Sequence, residues 1–262
     1  MIGAIFGDIV GSRYEFRNTK TKNFELFAKG CHFTDDSVMT LAVAKALLQY
    51  DKTQDLKVFQ DILITSMHTY GNAYPYAGYG GNFSWWLIKK SRLPYQSFGN
   101  GSAMRVSPIG WYANSLEEVL SLAKVSAEVT HNHPDGIKGA VVTAGSVYLA
   151  KTGASKEKIK KFIESYYPLN FTLDEIRPSY TFDVSCSGSV PQAMQAFLES
   201  DSFEDTVRNA VSIGGDSDTI AAIAGSVAEA FYGMSEEQKA TALSYLTEEL
   251  KETVWEFDQK YK

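Results

Sequence analysis

Apolar residues at helical spacing recur from one end of this 262-residue chain to the other, while strict apolar–polar alternation never lasts beyond a few positions. That pattern argues against a half-buried sheet as the framework. It predicts an all-α fold of ten or more helices joined by short connections. One helix is expected over about 35–48, with Val38, Leu41, Ala42 and Leu48 inward. A second is expected over 54–70, with Leu56, Phe59, Leu63 and Tyr70 inward. Four pairs carry the capping-box spacing, in which a hydroxyl and an acid or amide three residues later satisfy free backbone amides: Ser115/Glu118, Thr172/Glu175, Ser189/Gln192 and Ser235/Gln238. Pro191 reads as a first-turn proline, and Gly71 and Gly233 read as helix ends. No Pro/Ser-rich linker, charge block or internal repeat divides the chain, so residues 1–262 read as a single domain.

Composition narrows the function. With 44% hydrophobic and 13% aromatic residues the chain can bury a substantial core. A net charge of −6 and a pI near 5.3 argue against binding a nucleic acid backbone, though a small anion held by backbone amides remains compatible. Cys31 and Cys186 have neither disulfide-framework nor metal-type spacing and read as free thiols. The apolar start Met1–Asp8 has no basic leader and meets an acid too early to span a membrane, so a cytoplasmic protein without membrane association is expected.

Two short acidic stretches stand out. Thr34-Asp35-Asp36 opens the first clear helix, and Gly214-Gly215-Asp216-Ser217-Asp218-Thr219 opens another about 180 positions later. Taken alone, each is most simply a helix cap, because Thr and Asp are preferred N-caps and first-turn acids complement the helix dipole. Thr34, Asp35, Asp36, Asp216, Asp218 and Thr219 together supply four carboxylates and two hydroxyls, more than two caps require. If the two turns face each other, that charge needs a cation. Oxygen donors alone favour Mg²⁺ or Mn²⁺, with Ca²⁺ possible, over zinc. The Asp-x-Asp-Thr order also suggests a haloacid dehalogenase-type phosphatase, but no hydrophobic strand precedes it, and that reading is rejected.

Other candidates are less marked. Asn72–Ser107 is the longest stretch expected to be irregular, and its glycines and aromatics suit either a ligand-binding loop or a surface turn. Of four histidines, His131 and His133 lie between two expected helices and could face a cleft. Asp8 and Glu15 sit in what reads as a glycine-punctuated N-terminal turn, where either could be structural.

In this order the segments resemble the ADP-ribosylglycohydrolase family over nearly the whole chain. Five blocks carry the resemblance: Gly3-Ala4 with Gly7–Ser12 and Glu15; Phe33–Ser37; Gly99–Arg105; Thr130-His131 with His133-Pro134; and Gly214–Thr219. The resemblance implies an all-α domain around a cleft with a dinuclear metal site. Its ligands would be Thr34, Asp35, Asp36, Asp216, Asp218 and Thr219, binding two Mg²⁺ or Mn²⁺ ions. It implies substrate binding by Ser97, Phe98, Gly99, Asn100, Gly101, Ser102 and His131, and a proton relay by Glu15 or Asp36. In one branch of the family a Ser-Tyr pair stands at the diphosphate, whereas Phe98 keeps the ring without the hydroxyl and Gln96 replaces a glycine.

The implied activity is metal-dependent hydrolysis at the distal ribose of an ADP-ribosylated protein or small conjugate. A nucleic acid would enter only as an ADP-ribosylated substrate. Two other readings are a non-catalytic ADP-ribose or nucleotide-binding module of the same fold and a structural protein whose acids merely cap helices.

Overall fold

In the computed structural model, which describes residues 1–261, fifteen α-helices follow one another and no strand forms among the described residues. They are α1 (Ile2–Ser12), α2 (Asp35–Gln49), α3 (Leu56–Ala73), α4 (Gly81–Ile88), α5 (Gly101–Met104), α6 (Ser107–Tyr112), α7 (Leu116–Glu128) and α8 (Pro134–Lys151). After these come α9 (Lys156–Glu164), α10 (Leu173–Ile176), α11 (Cys186–Leu198), α12 (Phe203–Ser212), α13 (Ser217–Tyr232), α14 (Glu236–Ser244) and α15 (Glu248–Tyr261). One isolated antiparallel bridge joins Gly99 to Ser185.

At the centre lie α1 and α13, packed along each other. Every residue of α1 is buried, as is α13 from Ser217 to Glu229. The close approach follows from Gly3, Gly7 and Gly11, which repeat every four residues and so fall near one face of α1. A Cβ on Gly3 would stand 2.3 Å from Gly225 O, one on Gly7 2.1 Å from Ala221 O, and one on Gly11 2.5 Å from the Asp218 Cα. Each glycine costs a helix about 1 kcal/mol relative to alanine. Here that cost is set against backbone-to-backbone packing that no side chain could permit. The same glycines are why this segment reads as a turn in the sequence; the fold makes it the central helix.

Around this pair, α2 lies against α1, α3 and α15, while α8 runs beside α7, α11 and α13. Val38, Leu41, Ala42, Phe59, Leu63 and Tyr70 face the core as expected, but Leu56 is exposed at the start of α3 and Leu48 is only partly buried. Gly71 lies inside α3 rather than at its end. The expected irregular stretch holds α4 and α5. In α11 the cap is Ser185, whose hydroxyl accepts from the Gly188 amide, so Ser189 and Pro191 fall within the helix.

Candidate active site and metal centre

The two acidic turns converge. Thr219 Oγ1 donates to Asp36 Oδ2 at 3.2 Å across 183 positions of sequence. Capping accounts for only part of this arrangement. Thr34 does cap α2, its hydroxyl accepting from the Asp36 amide at 3.3 Å. Asp216 occupies the N-cap position of α13 yet makes no capping bond. Its carboxylate instead accepts from Asn100 Nδ2 at 2.7 Å and shares a hydrogen bond with Asp218.

Beneath the turns lies Asp8 on α1, fully buried. It accepts from the Thr34 amide at 3.0 Å, the Thr34 hydroxyl at 2.7 Å, the Ser37 amide at 3.1 Å and the Ser37 hydroxyl. Asp8 thereby ties the start of α2 to the central helix. Two groups of acids bring their oxygens within 4.8 Å of one another: Asp8, Asp36 and Asp218, and Glu15, Asp216 and Asp218. Asp218 belongs to both.

Electrostatically the cluster is unfavourable as it stands. Burial pushes Asp36 and Asp218 well above the usual carboxylate range, and their acidic neighbours push them further. Asp35, partly open to the cleft, is raised by enclosure and then by Asp218 and Asp8. Burial raises Asp8 in spite of its four hydrogen bonds. Asp216 rises to about 6, burial outweighing the bonds from Asp218 and Asn100, and Glu15 rises to about 8 through burial, Asp218 and Asp8. Among the described residues no lysine or arginine forms an ion pair with these six acids. Asp36 Oδ1 is buried without any hydrogen-bond partner. An all-oxygen donor set with an unsatisfied carboxylate oxygen and no compensating cation fits a hard divalent metal.

Above the acids opens a cleft of ≈ 480 Å³. The chain reaches it through a loop held from behind. Asn100 N donates to Val184 O at 2.8 Å, Cys186 N to Phe98 O at 3.0 Å, and the buried Cys186 thiol to Gly99 O at 3.1 Å. Opposite, Gly214 and Gly215 both adopt φ +74°, the left-handed region natural to glycine. Asn18 brackets Gly215, accepting from its amide at 2.8 Å and donating to its carbonyl at 3.0 Å. Lys20 Nζ donates to Ile213 O at 2.5 Å and to Tyr180 O at 2.7 Å.

The sequence model of the ADP-ribosylglycohydrolases matches residues 1–256. The chain belongs to that family. It is 26% identical to human ADP-ribosylhydrolase ARH3, an alignment covering 90% of this chain and 85% of that protein. It is 25% identical to the ADP-ribosylarginine hydrolase Tri1 of Pseudomonas putida, over 90% of this chain and 70% of Tri1. A solved ADP-ribosylglycohydrolase-related protein complex contains a chain of the same fold, with a TM-score of 0.65 at 23% identity, covering 100% of this chain and 97% of that one.

Against this family background, the residues singled out in the sequence divide into those at the cleft and those behind it. Thr34, Asp35, Asp36, Asp216, Asp218, Thr219 and Glu15 line the floor. Ser97, Gly99, Asn100, Gly101 and His131 line one wall. Ser102 does not: its buried hydroxyl is spent on Gly136 O at 2.7 Å. Phe98 stands outside the cleft lining, exposed and edge-on to His133 at 5.7 Å between ring centres. The Gly99 and Asn100 amides are also engaged, with Ser97 Oγ and Val184 O, and so are not the free anion donors a glycine-rich loop suggests.

Sequence reasoning gave no site role to three features. Asp8 joins the acid cluster, and its signal was the helical spacing of the glycines around it. Arg105 is buried at the cleft wall. Phe16 and Phe182 stack at 6.0 Å beside Glu15, a contact between distant segments that no local pattern announces. No helix among the described residues is long and apolar enough to cross a membrane. Cys31 and Cys186 are both buried and unpaired.

Proposed function

We propose that the protein is a hydrolase dependent on two divalent cations, Mg²⁺ or Mn²⁺. It would cleave the glycosidic bond at the distal ribose of ADP-ribose conjugates and release ADP-ribose from a modified protein or small molecule. The observation that carries this reading is the pair of acid triads sharing Asp218 on the cleft floor, with Asp36 Oδ1 left without a partner. Asp8, Asp36, Asp218, Asp216 and Glu15 would hold the ions, with Thr34, Asp35 and Thr219 completing the oxygen donors. Bound cations would fix vicinal ribose hydroxyls and lower the pKa of an attacking water.

The chain's own groups supply the rest. Cleavage develops positive charge at the anomeric carbon, and a floor of carboxylates suits that charge. Glu15, half-buried at the cleft, and Asp36 are the two candidates for a carboxylate proton relay. Asn100 orients Asp216 through a 2.7 Å hydrogen bond. At the wall, the Ser97 hydroxyl and the His131 ring remain to meet the diphosphate. The names of the human and Pseudomonas relatives, an ADP-ribosylhydrolase and an ADP-ribosylarginine hydrolase, favour ADP-ribosylated protein as the substrate.

A panel of arginine-, serine- and base-linked ADP-ribose and O-acetyl-ADP-ribose tests the reading, with and without Mg²⁺ or Mn²⁺. At least one linkage should release ADP-ribose only with metal. Asp218→Ala should lose more than the ~100-fold that a residue merely supporting a metal ligand costs. Metal-independent release, or none from any linkage, would sink the proposal.

A further inference from the structure

Beside the acid cluster, the cleft wall contains a buried relay. Arg105 is 1% exposed and makes no ion pair with an acid among the described residues; its Nη2 donates to Ser126 O at 3.0 Å and to Thr130 Oγ1 at 2.9 Å. A guanidinium has only donors, so Thr130 Oγ1 must be the acceptor there. The same oxygen lies 2.7 Å from His131 Nδ1. Thr130 is fully buried, and its hydroxyl proton has no other acceptor among the described hydrogen bonds. That proton therefore goes to Nδ1, which accepts it.

We propose that Arg105 and Thr130 are positioning residues that lock His131 as the neutral tautomer protonated on Nε2, so that it presents a fixed N–H donor to a ligand oxygen in the cleft. The ligand part of this inference rests on the ADP-ribose reading above; the tautomer does not. Burial, and then the Arg105 charge, hold the ring well below the usual histidine range, in keeping with a neutral imidazole. Nε2 itself has no acceptor among the described residues. Its surroundings bear on one nearby glycine: a Cβ on Gly101 would stand 3.2 Å from Nε2, closer than a side chain ordinarily approaches. Such a ring does not exchange protons at neutral pH, so His131 binds substrate and leaves acid–base work to the carboxylates.

The test is long-range ¹H–¹⁵N spectroscopy on the full chain labelled at the imidazole nitrogens, with the His131 signals identified by their loss in His131→Gln. The expected spectrum shows a single neutral Nε2–H tautomer at neutral pH, with the imidazolium appearing only below the usual histidine range. Thr130→Val should mix the tautomers and weaken ADP-ribose binding about tenfold, and Thr130→Ser should retain both wild-type properties. An Nδ1–H tautomer or an imidazolium signal at neutral pH in the wild type overturns the proposal, and this holds even if Thr130→Val does not fold. A wild type that shows the Nε2–H tautomer but binds no ADP-ribose would instead overturn the ADP-ribose reading.

Discussion

The turn that opens α2 and the turn that opens α13 carry nearly the same residues, yet they are supported in different ways. The first is held from the core. Thr34 caps its own helix, the Asp35 amide donates to Ala77 O at 2.8 Å, and Asp8 gathers the Thr34 and Ser37 amides and hydroxyls from below. The second lacks a side-chain cap and passes through two left-handed glycines held from outside by Asn18, Lys20 and Tyr180. The difference shows how a buried charged site can be placed. One half is anchored in the core, and the other depends on a surface segment, residues 15–20, that also carries Glu15.

Substituting glycines near each turn should break the comparison most visibly. Gly215→Ala would place a Cβ 2.2 Å from Tyr180 Cε1, on a ring fastened by its hydroxyl to Gly188 O at 2.6 Å. With φ at +74° as well, a loss of about 3 kcal/mol or more is expected in denaturant unfolding. Gly78→Ala, beside the first turn, meets only Asp35 Oδ1 at 3.4 Å and should cost about 1 kcal/mol, mainly from its positive φ. Equal losses would show that the two turns are not supported differently.

Metal removal should reveal the shared floor. In the chelated protein the acids have raised folded-state pKa values, so their contribution to stability is present below the unfolded pKa and lost as pH rises through the folded one. The metal-free protein should therefore lose stability as pH rises above about 4, and Glu15 by itself carries that loss through about pH 8. Mg²⁺ or Mn²⁺ at 100 times its dissociation constant should restore about 2.7 kcal/mol, and at a fixed metal concentration the gain should grow with pH. Thermal melts across that range check the slope. A metal-free protein that becomes more stable as pH rises would contradict the electrostatic account.

The smallest effect sharpens the comparison. Asn18→Ala removes both hydrogen bonds to Gly215 and should cost about 1–2 kcal/mol of stability, with a further loss of metal affinity. Of the two turns Asn18 touches only the second, its other partners being the Tyr14 and Glu15 carbonyls, so metal titration by calorimetry should show one of the two proposed sites weakened more than the other. Equal weakening of both would mean that the turns are mechanically coupled.

Much of the helical framework was legible in local patterns. The start of α2 at Asp35 and the complete capping boxes at Thr172/Glu175 and Ser235/Gln238 appear where the residues indicate. Ser115 accepts from the Glu118 amide as expected, but Glu118 turns its carboxylate to the Asn114 amide at 2.7 Å and leaves the box half formed. The pair Ser189/Gln192 misled because Ser185, four residues earlier, competes for the same capping role and has the Gly188 amide in reach. α1 was hidden because its glycines, poor helix formers in isolation, are favoured here only by the backbone of α13 lying against them.

By itself, then, the sequence determined the all-α character, most helix starts and the carboxylates and hydroxyls of two acidic turns, because these rest on residues three or four positions apart along one helix. Tertiary structure alone decided that Asp8 lies under both turns, that Asp36 meets Thr219, and that Arg105 reaches His131 through Thr130. The physical reason is range. Each of those contacts joins segments brought together by packing, and the packing rests on the glycine face that lets α1 approach α13.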